Sequence, residues 1–86
     1  MFIIVVYDIN CKRVGKALKI CKKYLAHIQK SMFEGNITEG QLKQLKKELL
    51  YLINPEEEAV CIYRFDSAKY AKKEEIGTIE IKSHII

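Results

Sequence analysis

Six apolar residues in a row, Phe2-Ile3-Ile4-Val5-Val6-Tyr7, closed at once by the carboxylate Asp8, constrain this chain more than any other stretch. A run so rich in Ile and Val fits a strand covered on both faces, and therefore a strand in the middle of a sheet. Asn10 stands where it can cap a following helix. From Cys11 to about Ala26, residues Val14, Ala17, Leu18, Cys21 and Leu25 recur at helical spacing, while Lys12, Lys16, Lys19 and Lys23 fall along a different face. The spacing predicts an amphipathic, basic helix.

From His27 to Ile37 the chain has extended propensity but breaks strict alternation, because Ile28 and Phe33 are an odd number of residues apart. That predicts a bulge, or two short strands meeting near Lys30 and Ser31. Thr38-Glu39-Gly40-Gln41 matches a capping box, and Leu42, Leu45, Leu49 and Leu52 give the next helix its core stripe until Asn54-Pro55 ends it. Glu56-Glu57-Glu58 reads as a solvated turn, and Ala59 to Phe65 as another largely buried strand. Strand, helix, strand, helix, strand, with a right-handed and parallel first crossover, predicts an α+β sandwich of ferredoxin-like type: an antiparallel-containing sheet with both helices on one face.

The 86 residues are read as a single domain, 1–86, with 67–86 as a C-terminal tail. Ser67 to Lys73 is polar, and Ile76 to Lys82 resumes strand-like alternation. This late strand can cover the chain's own sheet edge, or be exchanged with a second copy across a two-fold axis, burying Ile85 and Ile86 in a homodimer. A chain of this length buries only roughly 60% of its unfolded surface, which favours association.

Cys11, Cys21 and Cys61 are odd in number and widely spaced, so neither a disulfide framework nor a zinc site follows, and a reducing cytoplasm is expected. No secretory leader and no 18-residue apolar span is visible, which argues against export or membrane insertion. Gly15, Gly35, Gly40 and Gly77 form no phosphate-cradling motif, which disfavours a nucleotide-dependent enzyme.

The net charge of +4 is unevenly spread. Residues 1–33 carry seven Lys or Arg against one acid, Asp8, whereas residues 34–86 carry eight against ten. A basic half of this kind suits a polyanion, whose condensed counterions are released on binding. An acid at the C-terminal end of a central strand stands where sheet proteins often hold ligands, and a hard divalent cation prefers carboxylate oxygen and water. One acid binds metal poorly; two-fold pairing of Asp8 would supply a second. On residues alone, such an acid is more often a turn or capping residue than a metal ligand.

Tyr7-Asp8-Ile9 after a hydrophobic first strand, Lys12-Arg13-Val14, the stretch Leu18 to Leu25, Gln29 through Ser31 to Phe33-Glu34-Gly35, and the ending Ile85-Ile86 together resemble the small CRISPR-associated endonuclease family. This is the compact universal CRISPR adaptation protein that partners the CRISPR integrase. The resemblance covers nearly the whole chain and implies a ferredoxin-like homodimer whose first-strand aspartates meet and bind Mg²⁺, or Mn²⁺. It implies Mg²⁺-dependent cleavage of single-stranded RNA or duplex DNA and participation in spacer acquisition. It also admits a non-catalytic role as a duplex-DNA scaffold of the integrase complex. Carried over residue by residue, Asp8 is the metal ligand, Tyr7 its neighbour, and Ser31 and Phe33 line the same cleft.

Arg13 is the expected phosphate contact, with Lys12, Lys16, Lys19 and Lys23 extending a nucleic-acid-binding track. Lys16 stands where some relatives carry a second arginine and cannot supply the planar fork of a guanidinium. Bland readings stand beside these: Tyr7 and Phe33 as packing residues, and His27 as a surface residue just before the second strand. A ferredoxin-like ligand sensor or a ribonuclease toxin outside any CRISPR context shares the same fold logic.

Overall fold

The computed structural model describes residues 1–65, and the expected tail strand, its exchange between subunits and the domain's last residues lie outside them. The element order is β1 (Phe2–Asp8), α1 (Cys11–Lys22), β2 (Ala26–Gln29), β3 (Met32–Asn36), α2 (Glu39–Leu52) and β4 (Ala59–Phe65). The strands form one sheet in the order β2-β3-β1-β4, every neighbouring pair antiparallel. This is the ferredoxin-like arrangement. β1 and β2 run parallel, as the crossover rule requires, but β3 lies between them.

Local chemistry explains most boundaries. The Asn10 side chain accepts from the Lys12 amide and opens α1; Thr38 and Gln41 close a reciprocal capping box on α2. The irregularity expected between Ile28 and Phe33 takes both forms at once. β2 and β3 are two short strands around a turn at Lys30, which has a positive φ of 39°, and their register shifts between His27 and Gln29. α1 ends at Lys22 rather than Ala26, because Lys23 to Leu25 form a turn whose amides bond back to Ile20 and Cys21, and Ala26 opens β2. Gly35 leaves room for the Leu25 side chain, whose Cδ2 lies 3.2 Å from where a Cβ would stand.

The core lies between the helices and one face of the sheet. Ile3, Val5 and Tyr7 of β1 and Phe33 of β3 pack there against Ala17 and Cys21 of α1 and Leu42, Leu45 and Leu49 of α2. Alternation along β1 then sends Phe2, Ile4, Val6 and Asp8 to the opposite face. There they meet their partners on β4, Phe65, Tyr63, Cys61 and Ala59. β1 is therefore central in its sheet, but the described residues cover it on one face only. Phe2, Ile4 and Val6 remain half-buried.

Candidate active site

Asp8 is the last residue of β1 and is exposed, pointing to the open face of the sheet by the period of two that buries Tyr7 beneath it. Its side chain has no hydrogen-bond or ion-pair partner among the described residues. The β1–β3 register runs only to Val6↔Met32, followed by one bond from the Tyr7 amide to the Ser31 carbonyl at 3.1 Å. The β1–β4 register continues to Asp8↔Ala59. Asp8 is therefore held from the β4 side.

The other expected site residues separate. Ser31 is half-buried in the β2–β3 turn beside the end of β1, reached through its backbone. Tyr7 and Phe33 are core residues: Phe33 is fully buried, and the two rings lie 5.7 Å apart on the helix side. Neither lines a cleft with Asp8, because their strand positions have the opposite parity. Burial, with the Cys21 thiol as a lesser cause, pushes the Tyr7 hydroxyl up to about 12, so it stays protonated at neutral pH. His27 falls inside β2 rather than before it. Its ring stacks on Phe33 with centroids 4.7 Å apart, and its Nε2 donates to the Lys30 carbonyl at 2.7 Å.

A residue read as solvated proves to be the most heavily bonded acid in the described chain. Glu56 and Glu57 are exposed, but the Glu58 side chain is only 1% accessible. Its carboxylate accepts from Arg13 Nε at 3.0 Å to both oxygens, from the Asn10 amide at 2.7 Å and from the Asn54 amide at 2.7 Å. The Arg13 guanidinium, aided by these backbone donors and opposed by desolvation, holds this carboxyl down to about 2. Sequence reasoning missed it because a Glu triplet after Pro looks solvated. The signal available was the pairing of a strand entry with the first strand's exit.

Arg13 is correspondingly committed. Glu58 occupies its Nε, and Glu57 lies 4.0 Å from Nη2. Lys23 is likewise paired with Glu48, which also accepts from the Tyr24 hydroxyl. Lys12, Lys16 and Lys19 are exposed and have no side-chain partner among the described residues. The basic track expected on α1 thus has free cations at Lys12, Lys16 and Lys19 and compensated ones at Arg13 and Lys23.

A strand-end acid beside a lysine-bearing helix on a ferredoxin-like sheet can be compared with known proteins. The family model described as CRISPR associated protein Cas2 matches residues 1–73. The chain belongs to this family. A CRISPR-associated endoribonuclease Cas2 from Dictyoglomus turgidum is 42% identical over 77 residues, covering 90% of this chain and 88% of that protein. One from Thermotoga maritima is 44% identical over the same shares of both chains. Among solved structures, Streptococcus pyogenes Cas2 at pH 6.5 superposes with a TM-score of 0.78 at 25% identity, covering 90% of this chain and 100% of that one.

Within this Cas2-family chain, no group of three or more His, Cys, Asp or Glu residues among the described ones could hold a metal ion. Asp8 is a free, hard oxygen donor of the kind Mg²⁺ takes one or two of, alongside water. It suits half of a shared site. Glu58 does not suit one, because its oxygens already accept from three donors, Arg13 Nε and the Asn10 and Asn54 amides. No helix among the described residues is long and apolar enough to cross a membrane.

Proposed function

We propose that the chain is a metal-dependent endonuclease of the Cas2 family, acting as a homodimer on phosphodiester bonds of RNA or DNA. We further propose that it serves spacer acquisition with the CRISPR integrase. The observation that carries this reading is an unpartnered carboxylate, Asp8, on the same sheet face as the half-buried Phe2, Ile4 and Val6. Two copies joined through that apolar face would bury it and bring their Asp8 side chains toward a common interface. The endoribonuclease names of the relatives support the chemistry.

Asp8 from each copy would hold Mg²⁺ or Mn²⁺. When bound, such a cation supplies Lewis-acid stabilisation of the charge that builds on a phosphodiester attacked by water. Lys12, Lys16 and Lys19 neutralise the flanking phosphates, and Ser31 offers a hydroxyl at the neighbouring strand end. Tyr7 and Phe33 support the end of β1 from the core.

A second reading is a duplex-DNA scaffold of the integrase complex, favoured by Lys12, Lys16 and Lys19, which stand uncompensated along one helix. Cleavage of labelled single-stranded RNA and duplex DNA by the parent protein and Asp8→Asn, with and without Mg²⁺ or Mn²⁺ and with dimer mass checked for both, separates the two. Metal-dependent cleavage lost in the variant supports the enzyme. Equal cleavage by both, or salt-sensitive duplex binding without cleavage, leaves the scaffold.

A further inference from the structure

We infer that Glu58 is a positioning residue for Asp8, holding the exit of β1 against the entry of β4 so that the Asp8 carboxylate is presented in one place. The inference rests on the reading of Asp8 as a metal ligand. Past Val6 the β1–β3 register stops, so the placement of Asp8 depends on β4.

On that side two consecutive residues act. Ala59 pairs with Asp8, and Glu58 takes the amide of Asn10, two residues further along, at 2.7 Å. The turn that leaves Asp8 is thus bracketed, and Asn10 is in turn the cap of α1. The same carboxylate takes the Asn54 amide, and the Asn54 carbonyl accepts from the Glu58 amide at 2.8 Å, which closes the α2–β4 turn on itself. Arg13, in the first turn of α1, supplies the positive charge that lets a carboxylate be buried there. Its part in the reaction is accordingly through Glu58 and Asn10 rather than on the substrate phosphate.

The test uses full-length protein and Glu58→Gln, which keeps shape but loses charge, with Arg13→Lys as a milder variant should the first fail to fold. Mn²⁺ affinity is read by electron paramagnetic resonance alongside Asp8→Asn, and amide hydrogen exchange is read residue by residue. The expected result is faster exchange at Asn10 and Asn54 with Ile3 and Val5 unchanged. Asp8-dependent Mn²⁺ affinity should weaken about 10- to 100-fold, the usual cost of removing an outer-shell partner.

Faster exchange at Asn10 with unchanged Mn²⁺ affinity would overturn the positioning role while leaving Asp8 as ligand. Equal Mn²⁺ binding by Asp8→Asn and the parent would overturn the ligand reading and this inference with it. Tighter nucleic-acid binding by Glu58→Gln at unchanged Mn²⁺ affinity would return Arg13 to the phosphate and overturn the inference separately.

Discussion

Asp8 and Glu58 sit at the same end of the sheet, and almost everything about them differs. Glu58 is buried, carries four hydrogen bonds and has its acidity fixed by Arg13; Asp8 is exposed and has no side-chain partner among the described residues. A carboxylate with all its lone pairs engaged holds the fold and can do little else. One left open contributes little to stability and is free to bind something. The comparison teaches that the acid to suspect of chemistry here is the unsupported one, and that its neighbour's bonds explain why it can stay unsupported without wandering.

The sharpest way to break this contrast is to remove the free acid. Asp8→Asn should lower metal-dependent cleavage by on the order of 10²–10³-fold, the scale of losing one transition-state electrostatic contact. Its unfolding free energy should stay within about 0.5 kcal/mol of the parent, as for a surface substitution. Denaturant melts and cleavage rates on the same preparation check both halves. A large stability loss would mean that Asp8 has structural partners after all.

Next is the core that both acids border. Leu45→Ala, at a fully buried position of α2, should cost about 2–5 kcal/mol in a denaturant melt. If the remaining folded protein still cleaves at the parent rate per folded molecule, stability and chemistry are separable, as the two acids suggest.

The bound acid should announce itself in the pH dependence of stability. Its carboxyl titrates at about 2 when folded, below the ordinary value of 4.5. The stabilisation is therefore complete above about 4.5 and lost as pH falls from there through about 2. Thermal melts of Glu58→Gln should be flatter across that window than those of the parent. Parallel curves would show that the carboxylate is not ionised in the fold.

The same free-versus-engaged distinction applies to the lysines. Removing Lys12, Lys16 and Lys19 together should reduce the slope of log affinity against log salt for duplex DNA by roughly 2–3 per subunit. Lys23→Ala, taken from an existing pair with Glu48, should change the slope much less. The smallest effect expected is for Thr38→Ala, which removes half of an exposed capping box and should cost about 1 kcal/mol without touching cleavage.

What could be read from residues alone was what neighbouring residues decide. The Asn10 cap, the Thr38–Gln41 box, the leucine stripe of α2 and the irregularity at Ile28 each depend on a few positions in a row, and each is present. Glu58 depends on Asn10 and Arg13, which stand 48 and 45 residues away. No local pattern marks such a contact, and two exposed glutamates beside it disguise it. Tyr7 was drawn toward Asp8 by closeness in the sequence and Phe33 by the family resemblance, whereas the pleat sends both side chains to the other side. The open face of β1 was invisible for a related reason: an unbroken apolar strand does not say whether helices or another surface will cover each side.

The alternation of β1 makes the strand a parity device. Ile3, Val5 and Tyr7 go inward and Phe2, Ile4, Val6 and Asp8 outward, so that the phenol is sealed and the carboxylate is offered. A single-residue deletion anywhere between Phe2 and Tyr7 would exchange the two, driving a charge into the packed layer and a tyrosine onto the open surface. Substitutions along this strand can be absorbed one by one; a shift in its frame cannot. The length of the segment before Asp8 is therefore under a stricter constraint than the identity of any residue within it.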